Sequence, residues 1–144
     1  MGRGLVWFAE KNYSAAEKDF LSALEINPAY LEAHTNLGAT YVAVGRLDDA
    51  ITQYRLALVV NPFFPDASYN LGVALMSQGK TAEAMDAFAT TVDEAPNFIP
   101  ARINYAILLY KSGDPDAARR QFQAVLDIDP QNATARKALQ QMGN

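Results

Sequence analysis

The chain has no cysteine, one histidine (His34) and one tryptophan (Trp7). Without cysteine, neither a disulfide framework nor a thiolate metal site can be built. That absence fits any compartment, which leaves the cytoplasm as a default location and nothing more. Charge is also sparse. The 12 basic and 16 acidic residues among 144 leave a formal net charge of -4. Phosphate recognition needs a concentrated basic face, so a nucleic-acid partner is not expected. No apolar run approaches the ~18 residues of a membrane-spanning helix. Leu5-Val6-Trp7-Phe8-Ala9 is too short for that and for a signal-peptide core. Neither a membrane span nor a targeting segment is therefore expected in these residues. What is present is enough apolar material for a real core: half the residues are hydrophobic, in a length that suits one domain.

That material is periodic. Residues 31–64 carry Leu37-Gly38, Tyr41, Gly45, Ala50, Tyr54, Ala57 and Asn61-Pro62. Moved forward by 34 residues, the series returns as Leu71-Gly72, Leu75, Gly79, Ala84, Phe88 and Pro96. A second shift gives Tyr105-Ala106, Gly113, Ala118, Phe122 and Pro130, and a backward shift gives Gly4, Ala16, Phe20, Ala23 and Pro28. A fixed period of this size means stacked structural repeats. The expected units are 31–64, 65–98 and 99–132, preceded by an incomplete repeat at 1–30 and followed by a capping helix at 133–144, all in one domain.

Each unit reads as two helices. Apolar and small residues at Ala33, Leu37, Gly38, Tyr41 and Val44 keep the three-and-four spacing of one helix face, as do Ala50, Ile51, Tyr54, Ala57 and Leu58. Gly45 between them suits a left-handed helix end. The small residues Gly38 and Ala50 let two backbones approach, with Tyr41 and Tyr54 filling the space around them. The pattern predicts helices near 4–11, 14–26, 31–44, 48–60, 65–78, 82–94, 99–112, 115–128 and 133–141. Ser14, Thr81, Asp114 and Asn132 are the predicted caps. The first unit lacks its beginning: the chain is cut from a longer array, or Met1 to Gly4 replace other sequence. Leu5, Trp7 and Phe8 are the apolar residues that such an end would leave uncovered.

These columns resemble the tetratricopeptide repeat, a 34-residue helix–turn–helix with Leu-Gly, aromatic, Ala, aromatic and Pro at set offsets. The resemblance covers the whole chain. His34, Ser68 and Arg102 depart from it in a slot that often holds a large apolar residue, and Tyr105-Ala106 replaces Leu-Gly. The resemblance implies an all-α solenoid, a right-handed superhelix whose first helices line a concave groove, and a role as a binding scaffold.

On those groove helices one polar column stands out: Asn36, Asn70 and Asn104. An amide carries donors and an acceptor, so a ladder of them can pair with the backbone of an extended peptide whatever its sequence. The ladder is similar to the one lining the peptide channel of the O-GlcNAc transferase repeat domain. The same amides could instead bond to a neighbouring helix. Thr35, Ala39, Val42, Tyr69, Val73, Met76, Ile103, Ile107 and Tyr110 flank the ladder, and several are expected to be exposed in the groove. No lysines or arginines stand beside these asparagines, so a carboxylate clamp of the heat-shock-chaperone type is not expected. The groove helices carry only Glu32, Asp66, Arg102 and Lys111, whereas the second helices carry many charges. The expected partner is a neutral or apolar peptide, or an amphipathic helix.

Nothing points to catalysis. His34 has no partner residues at ligand or relay spacing, and the glycines stand singly at turns. No catalytic residue, metal or cofactor is expected. Two rival roles remain: self-assembly through the groove or the N-terminal end, and service as the regulatory region of a larger enzyme such as a glycosyltransferase.

Overall fold

The turns set the plan of the molecule, a computed structural model that describes residues 2–143. The helices are α1 (Gly2–Ala9), α2 (Tyr13–Ile26), α3 (Leu31–Ala43), α4 (Leu47–Val60), α5 (Pro65–Ser77), α6 (Thr81–Glu94), α7 (Ile99–Lys111), α8 (Pro115–Ile128) and α9 (Ala133–Gly143). Among the described residues there is no strand.

The turns inside the pairs α1–α2, α3–α4, α5–α6 and α7–α8 close in the same way. In α3–α4 the amide of Arg46 donates to the Tyr41 carbonyl at 2.8 Å, and the amide of Gly45 donates to Val42 at 3.0 Å. Lys80 and Gly79, Asp114 and Gly113, and Asn12 and Lys11 repeat both bonds. This closure needs one left-handed residue after the helix. Gly45, Gly79 and Gly113 supply it at φ of 79°, 73° and 93°, while Lys11 adopts it at 60° with a side chain attached. A non-glycine residue held there carries about 1–2 kcal/mol of strain.

Two predicted caps differ from those observed. Asn12, not Ser14, caps α2, its Oδ1 accepting from the Ala15 amide at 3.3 Å. The helix begins one residue earlier than expected, which leaves Ser14 inside the first turn. Lys80 precedes α6 without a side-chain cap, and the Thr81 hydroxyl turns back to the Gly79 carbonyl. Asp114 and Asn132 cap α8 and α9 as predicted, at 2.9 and 3.1 Å.

Within each pair a ring packs against a residue with little or no side chain. A Cβ added to Gly38 would sit 2.5 Å from Tyr54, and one added to Gly72 would sit 2.7 Å from Phe88. Gly4 meets Phe20 at the same 2.7 Å, and Ala106 packs with Phe122. These contacts leave Tyr54, Phe20, Phe88 and Phe122 buried. Burial pushes the Tyr54 phenol up to about 12, because the ionised form would lose its water.

Neighbouring pairs stack through a continuous apolar core that runs from Ala16 and Phe20 to Leu108. A second cluster of Ala106, Phe122, Val125 and Ala135 joins α7, α8 and α9. A polar staple reinforces the first junction. The Arg46 guanidinium lies 4.2 Å above the Tyr41 ring and binds Glu17 at 2.9 Å and Asp49 at 2.6 Å. Burial and the hydrogen bond to Glu17 raise the Tyr41 pKa. At the N-terminal end, Leu5 and Val6 are exposed. Trp7 and Phe8 differ from expectation: both pack partly against the core, and Phe8 meets Tyr13 edge-on at 5.6 Å.

Candidate peptide-binding groove

The odd-numbered helices are the ones expected to form the inner layer, and α3 contacts α5 directly; no other pair of alternate helices, odd or even, makes extensive contact among the described residues. Helices on the inside of a curved stack crowd together, and those on the outside splay apart.

Positions buried against the partner helix repeat along α3, α5 and α7: Ala33, Ala67 and Ala101 are fully enclosed. The adjoining slot is polar in all three pairs. The His34 ring holds the Pro28 carbonyl at 2.8 Å and the Gln53 amide at 2.9 Å. Its Nε2–H must donate, because a carbonyl can only accept. Arg102 makes the same two links, to the Pro96 carbonyl at 2.6 Å and to Gln121 at 2.7 Å. Ser68 cannot reach so far. It accepts instead from the buried Thr91 hydroxyl at 3.1 Å and donates toward Glu94 at 3.5 Å. Desolvation raises the Glu94 pKa. His34 is thus a structural tie, with both ring nitrogens engaged.

The next positions along each inner helix turn away from the partner. Asn36, Asn70 and Asn104 are half-buried. Their side-chain amides make no hydrogen bond to protein among the described residues, and none of their polar atoms is sealed from solvent. The neighbouring-helix bond that was the alternative for these amides is not formed. Thr35 is half-buried, its hydroxyl spent on the Leu31 carbonyl at 2.8 Å. Ala39 is half-buried and Val42 exposed. Tyr69 leans on Phe98 at 5.0 Å and Phe88 at 5.9 Å between ring centroids, and Val73 and Met76 also rest on the core. Ile103 and Ile107 rest on the second cluster, while Tyr110 is exposed. Much of the apolar stripe is therefore shared between core and surface, and the amides, Val42 and Tyr110 are its freest groups.

Two features were missed in the sequence. The first is that α9 keeps the register of the odd-numbered helices. Lys137 falls in the column of Thr35, Tyr69 and Ile103, and Ala138 in that of the asparagines. Beside Ala138 opens a cleft of about 180 Å³ lined by Ile107, Tyr110, Phe122 and Met142. Extending the 34-residue count one step would have found it. The second lies on α4 and the turn after it, where Leu56, Val59, Val60 and Phe63 are 42%, 78%, 43% and 77% exposed. The corresponding residues after one more repeat are Thr90, Asp93, Glu94 and Asn97. The outer layer is thus not uniformly charged.

The described residues contain no group of three or more His, Asp or Glu able to hold a metal ion. No described helix is long and apolar enough to cross a membrane.

The arrangement defines a class, the α-helical repeat solenoid. Two family models, both described as tetratricopeptide repeat, match residues 35–97 and 75–142, and the chain belongs to that family. Solved structures agree. A crystal structure of MamA superposes with a TM-score of 0.90 at 21% identity, over 99% of this chain and 83% of that one. YrrB, described as having an unusual peptide-binding site, gives a TM-score of 0.81 at 22% identity, over 96% of this chain and 72% of that one. The first repeat domain of Spaghetti (RPAP3), bound to an HSP90 peptide, gives 0.73 at 20% identity, over 78% of this chain and 90% of that one. At such identities the likeness is one of fold. No curated protein matches the chain.

Proposed function

We propose that the chain is a non-catalytic scaffold whose inner layer binds an extended peptide of neutral or apolar character. The observation that carries this reading is the set of three half-buried, unpartnered amides at Asn36, Asn70 and Asn104, one per inner helix. Amides at regular spacing can satisfy the main-chain groups of an extended strand, which would otherwise lose hydrogen bonds on leaving water. Val42, Val73, Met76 and Tyr110 beside them offer adaptable apolar contact. The peptide-binding site of YrrB and the HSP90 peptide bound to the Spaghetti repeat domain, both of this fold, support the reading.

The test is fluorescence anisotropy with a panel of labelled ten-residue peptides of neutral composition. Replacing Asn36, Asn70 and Asn104 together by Ala should weaken the best binder about 100-fold, at roughly 1 kcal/mol per lost bond. Unchanged affinity removes the reading. An amphipathic helix held by side chains alone would also ignore the triple substitution.

Self-association is a second reading, favoured by the exposed Leu5 and Val6 on α1. Sedimentation velocity across concentration separates the two, and a monomer at high concentration removes the second.

A further inference from the structure

The amide ladder stops where α9 begins. The column that holds Asn36, Asn70 and Asn104 holds Ala138 next, and the smaller side chain leaves a cleft of about 180 Å³ between α7 and α9. Its floor is the buried ring of Phe122, and its walls are Ile107, Tyr110 and Met142. Arg119 on α8 donates to the Met142 carbonyl at 2.8 Å and so fixes the end of α9 against the stack. An apolar cavity of about 150 Å³ is enough to take a benzene-sized molecule. The cleft therefore has room for one aliphatic or aromatic side chain.

Charge around it is one-sided. Helices α7 and α9 carry Arg102, Lys111, Arg136 and Lys137 and no acidic residue, in a chain whose net charge is -4. Helices α3 and α5 hold the opposite pattern, Glu32 and Asp66 with no lysine or arginine. Arg102 is occupied by Pro96 and Gln121. Lys111 lines the cleft and is exposed, and Lys137 is exposed in the inner-layer register; neither forms an ion pair among the described residues.

The geometry points to an anchor site for a peptide segment that pairs one large apolar residue with adjacent carboxylates. The apolar side chain fills the cleft beside Ala138, and Lys111 and Lys137 meet the carboxylates. This inference rests on the groove reading for the path of the rest of the peptide, which runs along the neutral ladder toward α3.

The probe is a fluorescein-labelled peptide, GSGDLDGSG, titrated into the full chain by anisotropy, with amide chemical shifts recorded in parallel. Its comparison peptides replace Leu by Ala or both Asp by Asn. The Leu peptide should bind roughly 10- to 100-fold tighter than the Ala peptide, the range expected for burying one such side chain. Shifts should concentrate on α7 and α9. Ala138→Leu should erase the preference for Leu. Lys111→Glu with Lys137→Glu should weaken the Asp peptide severalfold more than the Asn peptide, and 0.5 M salt should remove that difference. Equal affinity for the Leu and Ala peptides overturns the inference, as does no binding at 1 mM peptide. The comparison of peptides on the unaltered chain decides this even if Ala138→Leu disturbs packing. The triple asparagine variant separates the two readings. If it loses binding while the unaltered chain ignores Leu, the groove stands and the anchor site falls. If it keeps a preference for Leu, the anchor site stands without the ladder.

Discussion

The pairs α3–α4 and α5–α6 share one backbone plan and fill it differently. Both close on a left-handed glycine, Gly45 or Gly79, and both press a ring onto a bare backbone, Tyr54 on Gly38 or Phe88 on Gly72. They part at the polar slot. His34 and Gln53 form a tie across the first pair, while Ser68 and Ala87 occupy the same places in the second. The smaller residues leave a surface pocket of about 230 Å³ bounded by Ser68, Ala87, Leu71 and Thr90. Backbone geometry is thus set by a close ring contact over a glycine, or over alanine at Ala106, and the slot beside it accepts a polar group that finds a partner.

The largest effect should come from breaking what the pairs share. Gly38→Leu and Gly72→Leu each force a side chain into a ring, and each should cost about 3 kcal/mol, read from urea unfolding. If one is tolerated, the ring contact in that pair does not fix the helix spacing. The next effect should separate the pairs. His34→Ala leaves the Pro28 carbonyl and Gln53 without partners and should cost about 2–3 kcal/mol, against about 1 kcal/mol for Ser68→Ala. Equal losses would mean that the tie adds nothing beyond the small hydroxyl network.

Lys11 extends the comparison to the turn of α1–α2, where the glycine is missing. Lys11→Gly should stabilise the chain by about 1 kcal/mol, measured by thermal or urea unfolding. A loss of stability would show that the lysine side chain contributes more than its backbone strain costs. Tyr54→Phe makes the two rings alike. The folded-state pKa of Tyr54, about 12, lies above the 10.0 of a free phenol, so the unfolded chain ionises first. Stability from this difference is intact below about pH 10 and is lost as pH rises toward 12. In a melting series across that window, Tyr54→Phe should decline less steeply than the parent, with the raised Tyr41 leaving a residual slope. The smallest effect belongs to the outer face. Val59→Asp copies Asp93 of the next unit and should change stability by less than about 0.5 kcal/mol. A loss well beyond that would show Val59 to be part of the packing.

The sequence was most legible where contacts recur. Asp114 and Asn132 announced their helices because a cap is local chemistry. Ser14 and Thr81 misled because Asn12 and Lys80 already stood at the helix boundary, a difference of one or two residues that spacing alone cannot resolve. Trp7 and Phe8 were expected at an uncovered end, but α2 lies close enough to receive them. The asparagine column could be counted, yet whether its amides were free depended on what the adjacent helix placed opposite them.

The sequence by itself therefore determined the period, the turns and the pairing of a ring with a small residue, because in a stack each unit meets the next in the same geometry and a similar residue returns. Only the tertiary structure decided the rest. It left the three amides unpartnered, opened a pocket beside Ser68 and a cleft beside Ala138, and set Leu56, Val59, Val60 and Phe63 in solvent. Those outcomes depend on the volume of side chains that lie a whole repeat apart in the chain, where no local pattern constrains them.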